Sequence, residues 1–410
     1  MGRFKPVLVI GSALILIGGF LAYNYLKEKP PAFLVEWVTK TKPPPPLPEG
    51  DRAPFTVPEG FKATIFSREV PGARVMIRDP KGTMLVSLTK SGKVIALPDQ
   101  NSDNKADETK TVLEGLKQPH GLLIRCPDTS NVSANEGACV LYVAETGELK
   151  SYAYDADTHT ATYQETLTTF PVGDGHFTRT LLMHPDGKRL LISVGSSCNV
   201  CEESDGRRAT IMALDLETKE TSVFANGLRN TVFMAVRPGT QDVWGTDNGR
   251  DIIGNDTPPD EINIIREGKN YGWPYCYGNR IYDTDFGEEE PAVCAATEPS
   301  HIDLQAHSAA LGLVFVPEDG WPEEMQNDLL IAYHGSWNRS EPTGYKVVRI
   351  ELDKDGNAQS EALDFMSEFL AEGANEDEAI GRPVGLLVEP GGVLYVSDDR
   401  AGAIYRVSRQ

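Results

Sequence analysis

The sequence has 410 residues, of which 60 are Asp or Glu and 39 are Lys or Arg, so its formal net charge at pH 7 is −21. Residues 1–50 carry a net charge of +3, which leaves −24 for residues 51–410. So acidic a body argues against nucleic acid and anionic membrane surfaces as partners, because both would repel it. A basic soluble partner remains compatible with this charge.

The first element in the chain is an apolar segment. No charged residue lies between Lys5 and Lys27, and small and aliphatic side chains dominate residues 6–23. A membrane-spanning helix needs about 20 apolar residues, and no small-residue cleavage site of the A-x-A type follows this segment. We therefore predict one N-terminal transmembrane helix, an uncleaved signal anchor over residues 1–29. A cleaved signal peptide is the alternative.

A proline-rich stretch follows the apolar segment. Residues 30–50 include four consecutive prolines from Pro43 to Pro46, and Pro48 comes soon after. Such a composition favours extended polyproline II geometry. The pattern predicts a stiff linker over residues 30–50 and one folded domain over residues 51–410.

The six cysteines fall into three pairs that are close in sequence: Cys126 with Cys139, Cys198 with Cys201, and Cys276 with Cys294. An even count in local pairs behind an export signal favours disulfides in an oxidising compartment. Free buried thiols are the alternative, and zinc is less favoured because no second metal-binding pair lies near Cys198 and Cys201. We expect the folded domain to lie in the periplasm, anchored to the inner membrane, or to be secreted if the signal is cleaved.

Short β-rich runs recur through residues 51–410, and one pattern of apolar run, turn and Leu-Tyr-Val-like strand repeats after Gly115, Gly227 and Gly381. Repeats of this kind are typical of four-stranded propeller blades. The length allows six blades of about 60 residues. We expect the last strand, Ala403 to Val407, to close the ring with the first strands after Gly60, which removes exposed sheet edges.

Polar clusters stand at several blade starts, where propellers hold their ligands. They occupy residues 173–179, 227–230 and 246–250, the last followed by the runs 260–265 and 268–274. With these segments the chain resembles the glucose/sorbosone dehydrogenase family, which includes soluble aldose sugar dehydrogenases that use pyrroloquinoline quinone. The resemblance runs from about Pro58 to Val407, is nearest to the sorbosone dehydrogenase branch, and implies an all-β, six-bladed β-propeller.

The resemblance also implies site residues. His176 falls on the family's catalytic base, and Arg229 on the arginine beside the cofactor and the reacting oxygen. The other positions implied for the cofactor are Asn230, Arg382, Arg179, His334 and Arg339, the last two as substitutes for a missing lysine. The backbone carbonyls of Gly249 and Arg250 fall on those that hold the cofactor's Ca²⁺.

Four positions depart from the family pattern. Thr178 replaces a glycine, Asn248 replaces a histidine, Arg250 replaces a proline, and Val384 stands where a second cofactor arginine is expected. The residue types that do match suit the chemistry: a neutral histidine can take a hydroxyl proton, and arginine and Ca²⁺ can stabilise a developing oxyanion.

These features predict a quinone-dependent enzyme that oxidises an aldose or sugar aldehyde to its lactone or acid, with a cytochrome c or a quinone as electron acceptor. A calcium-dependent lactonase and a non-catalytic binding propeller are the alternatives. His120, His307 and Trp337 are candidates for the sugar pocket.

One further site is visible without the family. Residues 99–107 space oxygen ligands as an EF-hand-like Ca²⁺ loop does, although Lys110 stands where that loop has its glutamate. The alternative is a solvated acidic turn. The candidate ligands are Asp99, Asn101, Asp103 and Asp107.

Overall fold

A computed structural model of the chain describes residues 43–127, 139–287 and 291–410. Within them the chain forms six four-stranded antiparallel sheets, arranged as the blades of a propeller, and one small two-stranded hairpin. Three short 3-10 helices are the only helices of the described residues: Pro291–Ala296, Glu323–Met325 and Glu376–Glu378.

The strands follow one another in chain order. They are β1 Phe61–Ser67, β2 Ala73–Arg78, β3 Met84–Leu88, β4 Lys93–Leu97, β5 Lys110–Leu113, β6 Leu122–Arg125, β7 Cys139–Ala144, β8 Glu148–Asp155, β9 Thr160–Thr169, β10 Leu181–Met183, β11 Arg189–Val194, β12 Thr210–Asp215 and β13 Thr221–Asn226. The second half contains β14 Thr231–Val236, β15 Val243–Asp247, β16 Asp260–Ile265, β17 Cys276–Tyr277, β18 Ile281–Tyr282, β19 Ile302–Leu304, β20 Ala310–Phe315, β21 Leu329–Tyr333, β22 Lys346–Ile350, β23 Leu363–Met366, β24 Pro383–Glu389, β25 Val393–Asp398 and β26 Ala403–Arg409.

Blades 1 to 3 take their strands in simple order, as β2 to β5, β6 to β9 and β10 to β13. Blade 4 consists of β14, β15, β16 and β19, with the β17–β18 hairpin between its last two strands, and blade 5 of β20 to β23. Blade 6 combines the last three strands of the chain with the first, in the spatial order β1, β26, β25, β24. Within this blade β26 pairs antiparallel with β1. This confirms the six-bladed propeller and its predicted closure, which leaves no blade incomplete.

The inner strands β2, β6, β10, β14, β20 and β24 contact one another around the ring. Their backbones approach closely, and glycine makes this possible. A Cβ at Gly385 would lie 2.2 Å from the carbonyl oxygen of Arg74, and one at Gly312 would lie 2.5 Å from that of Val384. Only a residue without a side chain fits at such approaches.

Antiparallel pairing places the candidate residues at one end of the propeller. Thr231 at the start of β14 pairs with Asp247 at the end of β15, and Pro383 at the start of β24 pairs with Asp398 at the end of β25. The start of each inner strand and the end of the second strand therefore lie at the same end of a blade. We call this end the site face.

All three predicted disulfides are present, and the described residues contain no free cysteine. The predicted anchor, and the linker as far as residue 42, lie outside the described residues. Within residues 43–127, 139–287 and 291–410, we find no helix with the length and apolar character that a membrane crossing requires.

Candidate active site

His176 lies on the loop that leads into β10. Its ring nitrogen Nδ1 is 3.0 Å from the hydroxyl oxygen of Ser196 and 3.2 Å from the carbonyl oxygen of the same residue. The hydroxyl of Ser196 donates its own proton to the carbonyl of Cys198, at 2.7 Å, so both neighbours of Nδ1 can only accept. Nδ1 therefore carries the proton, and Nε2 keeps a free lone pair.

Charge and burial keep this imidazole neutral. Burial lowers the pKa of His176 well below its usual value, and the positive charges of Arg229, Arg179 and Arg208 lower it further, although a hydrogen bond with the Ser196 backbone acts in the opposite direction. Nε2 makes no hydrogen bond within the described part of the chain. A neutral histidine with a free lone pair has the properties of a general base.

Arg229 lies just before β14, with only 4% of its surface exposed. Its guanidinium donates to the carbonyls of Asn199, Asn248 and Gly249 at 2.8, 3.1 and 2.8 Å. It also reaches the side-chain oxygen of Asn199 at 2.9 Å and the carboxylate of Asp251 at 3.0 Å. Four of these five bonds go to neutral oxygens and one to a carboxylate, so all five N–H donors are used and Arg229 acts on the site through its charge.

Asn230 lies beside His176. A Cβ at Gly195 would meet His176 Cβ at 2.7 Å and Asn230 Oδ1 at 2.8 Å, so both side chains cover this glycine. The backbone N–H of Asn230 donates to the carboxylate of Asp247 at 2.7 Å, and burial raises the pKa of Asp247 to about 7. Oδ1 of Asn230 is buried and has no partner, which leaves an acceptor for a ligand.

Arg382 belongs to a charged cluster formed by blades 1, 5 and 6. Its guanidinium donates to the carbonyls of His334, at 3.0 Å, and Gly335. Nε2 of His334 lies 2.9 Å from Asp399, and Asp399 lies 2.7 Å from Arg74. Burial and the charge of Arg382 lower the pKa of His334 to about 4, so His334 is neutral at pH 7 and donates Nε2–H to Asp399.

The sequence analysis missed Arg74 and Asp399. Arg74 lies on β2 beside Gly385 of β24, next to the position of Val384, which is fully buried in the core. A buried arginine is therefore present on the neighbouring blade, next to the position where Val384 replaces the expected arginine. Its position at the start of an inner strand is the sequence feature that could have identified Arg74 as a candidate site residue.

Two further arginines predicted as cofactor contacts, Arg179 and Arg339, bond mainly to the protein. Arg179 is fully buried and donates to the carbonyls of His176, Thr178 and Pro171, so it stabilises the His176 loop from beneath. Arg339 donates to the carbonyls of neighbouring loops and pairs with Asp256. The Nε of Arg179 is buried and has no partner, and the roles of both arginines at the cofactor stay predictions.

Two of the predicted pocket residues can still contact a ligand: His120 through an unpartnered nitrogen and Trp337 through its exposed surface. His120 is fully buried, with Nδ1 3.2 Å from the hydroxyl of Thr180 and Nε2 without a partner. The Trp337 side chain is 40% exposed. His307 instead bonds through Nε2 to the carbonyls of Gly254 and Thr257, at 2.8 and 3.1 Å, which indicates that it shapes the loop.

The site fits an anionic, polar cofactor. Arg74 and His120 each carry a buried nitrogen without a partner, and the charge of Arg74 lowers the pKa of His120, so the two are neighbours. The charges of Arg74 and Arg382 also act on each other. Two arginines facing one buried carboxylate leave a net positive charge, which suits the carboxylates of pyrroloquinoline quinone.

The predicted Ca²⁺ ligands fit less well. The carbonyl of Gly249 accepts a hydrogen bond from Arg229, and a cation at this oxygen would be repelled by that guanidinium. The Arg250 side chain forms a buried ion pair with Asp283. The Ca²⁺ site at Gly249 and Arg250 therefore stays a prediction.

In the acidic loop of residues 99–107, the carboxylates accept hydrogen bonds from the loop itself. Asp99 accepts from the backbone N–H groups of Asp103 and Asn104, and Asp107 accepts from Gln100 and from the Asn101 amide. Such bonds form with or without a metal, so calcium at this loop also stays a prediction. Within the described residues, the one compact metal-ligand group is Cys198, Cys201 and Glu203, whose sulfurs are joined in a disulfide.

Comparisons with known proteins agree with this architecture. The chain is 34% identical to an uncharacterised protein of Borreliella burgdorferi over 57% of this chain. It is 25% identical to the pyrroloquinoline quinone-dependent pyranose dehydrogenase of Coprinopsis cinerea over 87% of this chain. The matches span 60% and 55% of those two proteins.

Among solved structures, the Trichoderma reesei enzyme of carbohydrate-active enzyme family AA12 superposes with a TM-score of 0.72 at 22% identity, covering 87% of this chain and 98% of that one. This likeness shows the fold. The family model described as TrAA12-like matches residues 55–410, nearly the whole of the propeller. The chain therefore belongs to the TrAA12-like family.

Proposed function

We propose that this protein is a pyrroloquinoline quinone-dependent dehydrogenase that oxidises the CH–OH carbon of an aldose, or a sugar aldehyde such as sorbosone, to the lactone or acid. One observation carries the proposal: a neutral His176 with Nε2 free, next to Asn230 and in the field of Arg229. The name of the Coprinopsis cinerea relative supports the choice of cofactor and substrate class.

The cofactor, when bound, supplies an electrophilic quinone carbonyl that accepts a hydride from the sugar. The chain supplies the surroundings. Arg74 and Arg382 bind carboxylates, and the free oxygen of Asn230 orients a polar group by hydrogen bonding. Arg229 provides fixed positive charge beside the base, and such charge stabilises an oxyanion that develops nearby.

His176 removes the proton. Its Nε2 lone pair accepts the hydroxyl proton of the sugar as the carbon becomes a carbonyl, which is general-base catalysis. The resulting imidazolium keeps its Nδ1–H bonded to the two oxygens of Ser196. The positive charges that lower the pKa of His176 also favour prompt release of this proton.

The proposal includes the electron acceptor of the enzyme and the cellular location of its folded domain. The charge of −24 on residues 51–410 favours a basic soluble partner such as a cytochrome c, while the N-terminal segment would place the domain near membrane quinones. The three disulfides support an oxidising compartment such as the periplasm.

The experiment is reconstitution of the full-length protein with pyrroloquinoline quinone and Ca²⁺, followed by sugar-dependent reduction of an artificial acceptor. Parent protein is compared with His176→Ala and with His184→Ala, which lies at the other end of β10 and serves as a matched control. We expect only His176→Ala to lose activity. Lactone hydrolysis without quinone would favour the lactonase, and no cofactor binding at all would favour a binding propeller.

A further inference from the structure

The loop between β11 and β12 contains a small disulfide ring, closed by Cys198 and Cys201. Asn199 lies inside this ring. The ring is anchored in the protein, since Cys198 and Val200 are buried on either side of Asn199. A residue held in so short a covalent ring has few backbone conformations available to it.

Asn199 contacts Arg229 twice. Its carbonyl accepts from Nε at 2.8 Å, and its side-chain oxygen accepts from Nη2 at 2.9 Å. Two parallel bonds to adjacent guanidinium nitrogens fix the plane of the guanidinium and not only its distance. No other residue of the described chain bonds Arg229 at both of these nitrogens.

Asn199 also contacts Asp251 twice. Its side-chain oxygen accepts from the backbone N–H of Asp251 at 2.7 Å, and its side-chain nitrogen donates to the Asp251 carbonyl at 3.0 Å. The Asp251 carboxylate in turn pairs with Arg229 at 3.0 Å and accepts from Asn338 at 2.8 Å. Asn199 thereby holds both the guanidinium and its only carboxylate partner among the described residues.

We propose that Asn199, presented by the Cys198–Cys201 ring, is the positioning residue that fixes Arg229 beside His176. The proposal rests on the proposed function, but its geometry is a property of the protein without cofactor. The ring is then part of the active site's construction, and not only a stabilising crosslink.

A structural role alone and a positioning role make different predictions for His176. The charged groups that lower the pKa of His176 are Arg229, Arg179 and Arg208, and the effect of Arg229 is the largest of the three. If Asn199→Ala lets Arg229 turn away, the pKa of His176 rises, because the repulsion of the imidazolium weakens. Lost stability without displacement of Arg229 would leave this pKa unchanged.

The first test is an NMR titration of the imidazole nitrogens in full-length protein without cofactor, with His176 assigned from its loss in His176→Gln. We expect a higher pKa for His176 in Asn199→Ala than in the parent, and no change in Asn357→Ala, a control on an exposed turn. An unchanged pKa for His176 in Asn199→Ala would overturn the proposal, whether or not the enzyme is active.

The second test is kinetic. In the reconstituted enzyme, we expect Asn199→Ala to lower kcat by about 100-fold with little change in KM, the size typical of a misplaced catalytic group. The isosteric Asn199→Asp keeps the acceptor for Nη2 and should recover part of the loss. Parental kcat in Asn199→Ala would overturn the proposal, whereas an inactive parent would count against the proposed function and leave the NMR result standing.

The third test separates the ring from disulfides in general. We expect Cys198→Ser with Cys201→Ser to raise the pKa of His176 and lower kcat as Asn199→Ala does. Removal of the blade 2 disulfide, by Cys126→Ser with Cys139→Ser, is the matched control and should leave both unchanged. Thermal unfolding of both double variants shows that each is folded, and equal effects of the two would contradict a role specific to the ring.

Discussion

Arg74 and Asp399 form a buried ion pair in which Nη1 of Arg74 lies 2.7 Å from Oδ2 of Asp399. The pair joins the first and the last blade at the site face, where β2 contacts β24 and β25. Nε of Arg74 is buried and has no partner. Arg74 therefore keeps one N–H donor, at Nε, that can bind a second anion.

The first prediction concerns this arginine. Arg74→Met should weaken binding of pyrroloquinoline quinone by about 10- to 100-fold, because a charge-assisted bond to a carboxylate is lost. Cofactor titration followed by protein fluorescence measures it. The control is Arg78→Met, at the other end of the same strand, where Arg78 pairs with Glu389. Equal affinities for the Arg74 variant and the parent would contradict our assignment.

Asp399 gives the second prediction. Asp399→Asn leaves Arg74 without its carboxylate partner, and loss of one partner of a buried pair costs about 3 kcal/mol of unfolding free energy. Added pyrroloquinoline quinone should recover more of the melting temperature in this variant than in the parent, since its carboxylates replace the missing charge. Melting curves with and without the cofactor provide the test. The idea fails if the cofactor stabilises both proteins equally.

The pH dependence of activity follows from His176. Its Nε2 must be unprotonated to act as base, and burial, followed by Arg229, keeps its pKa well below 6.5. We expect kcat/KM to stay constant as the pH falls through 6.5 and to decline only in more acidic solution. Arg229→Met should move this acidic decline to higher pH while lowering the rate. A decline centred at or above pH 6.5 in the parent would be inconsistent with a base in this environment.

A fourth prediction concerns stability. Burial and the nearby Asp247 raise the pKa of Glu261 from 4.5 to about 8, so the folded state binds a proton that the unfolded state releases. The stabilisation is complete below pH 4.5 and is lost as the pH rises through about 8. Glu261→Gln should reduce this dependence, part of which remains because burial also raises the pKa of Asp247 to about 7, and should stabilise the protein at pH 9 by an amount on the order of 3 kcal/mol.

Asn263 can form a hydrogen bond with the glutamine of the Glu261→Gln variant. Its side-chain nitrogen faces Glu261 at 3.0 Å while its Oδ1 is buried without a partner. Rotation of the Asn263 amide would let Oδ1 accept from a protonated carboxyl or from a glutamine. Urea unfolding at pH 5 and pH 9 measures the effect, and a parent protein with equal stability at both pH values would refute it.

The sequence predicted the propeller because each blade repeats its own pattern of strands and turns locally. The family resemblance also implied His176, Arg229, Asn230 and Arg382, which the structure places just before inner strands at the site face, and their roles stay predictions. The contacts made by Asn199 and Asp399 were not predictable in this way, because each depends on loops from different blades meeting across the site face. The backbone bonds of Arg179 and Arg339 were not predictable either, since a sequence does not tell which carbonyl groups surround a guanidinium.

Val384 shows the same limit from the other side. It stands where a second cofactor arginine is expected, yet Arg74 comes from a strand more than 300 residues away in the chain and lies against Gly385. The inner strand next to Val384 in the ring thus carries a buried arginine. The contact of β2 with β24, which brings blades 1 and 6 together, makes this visible.

The central claim is that His176 removes the proton as the sugar carbon is oxidised. The most direct measurement is a single-turnover experiment, in which the reconstituted enzyme is mixed anaerobically with excess aldose and the absorbance of the oxidised cofactor is followed. We predict rapid loss of this absorbance in the parent and a rate roughly 10²- to 10⁴-fold lower in His176→Ala with equal cofactor loading. Equal rates in the two proteins would contradict the account.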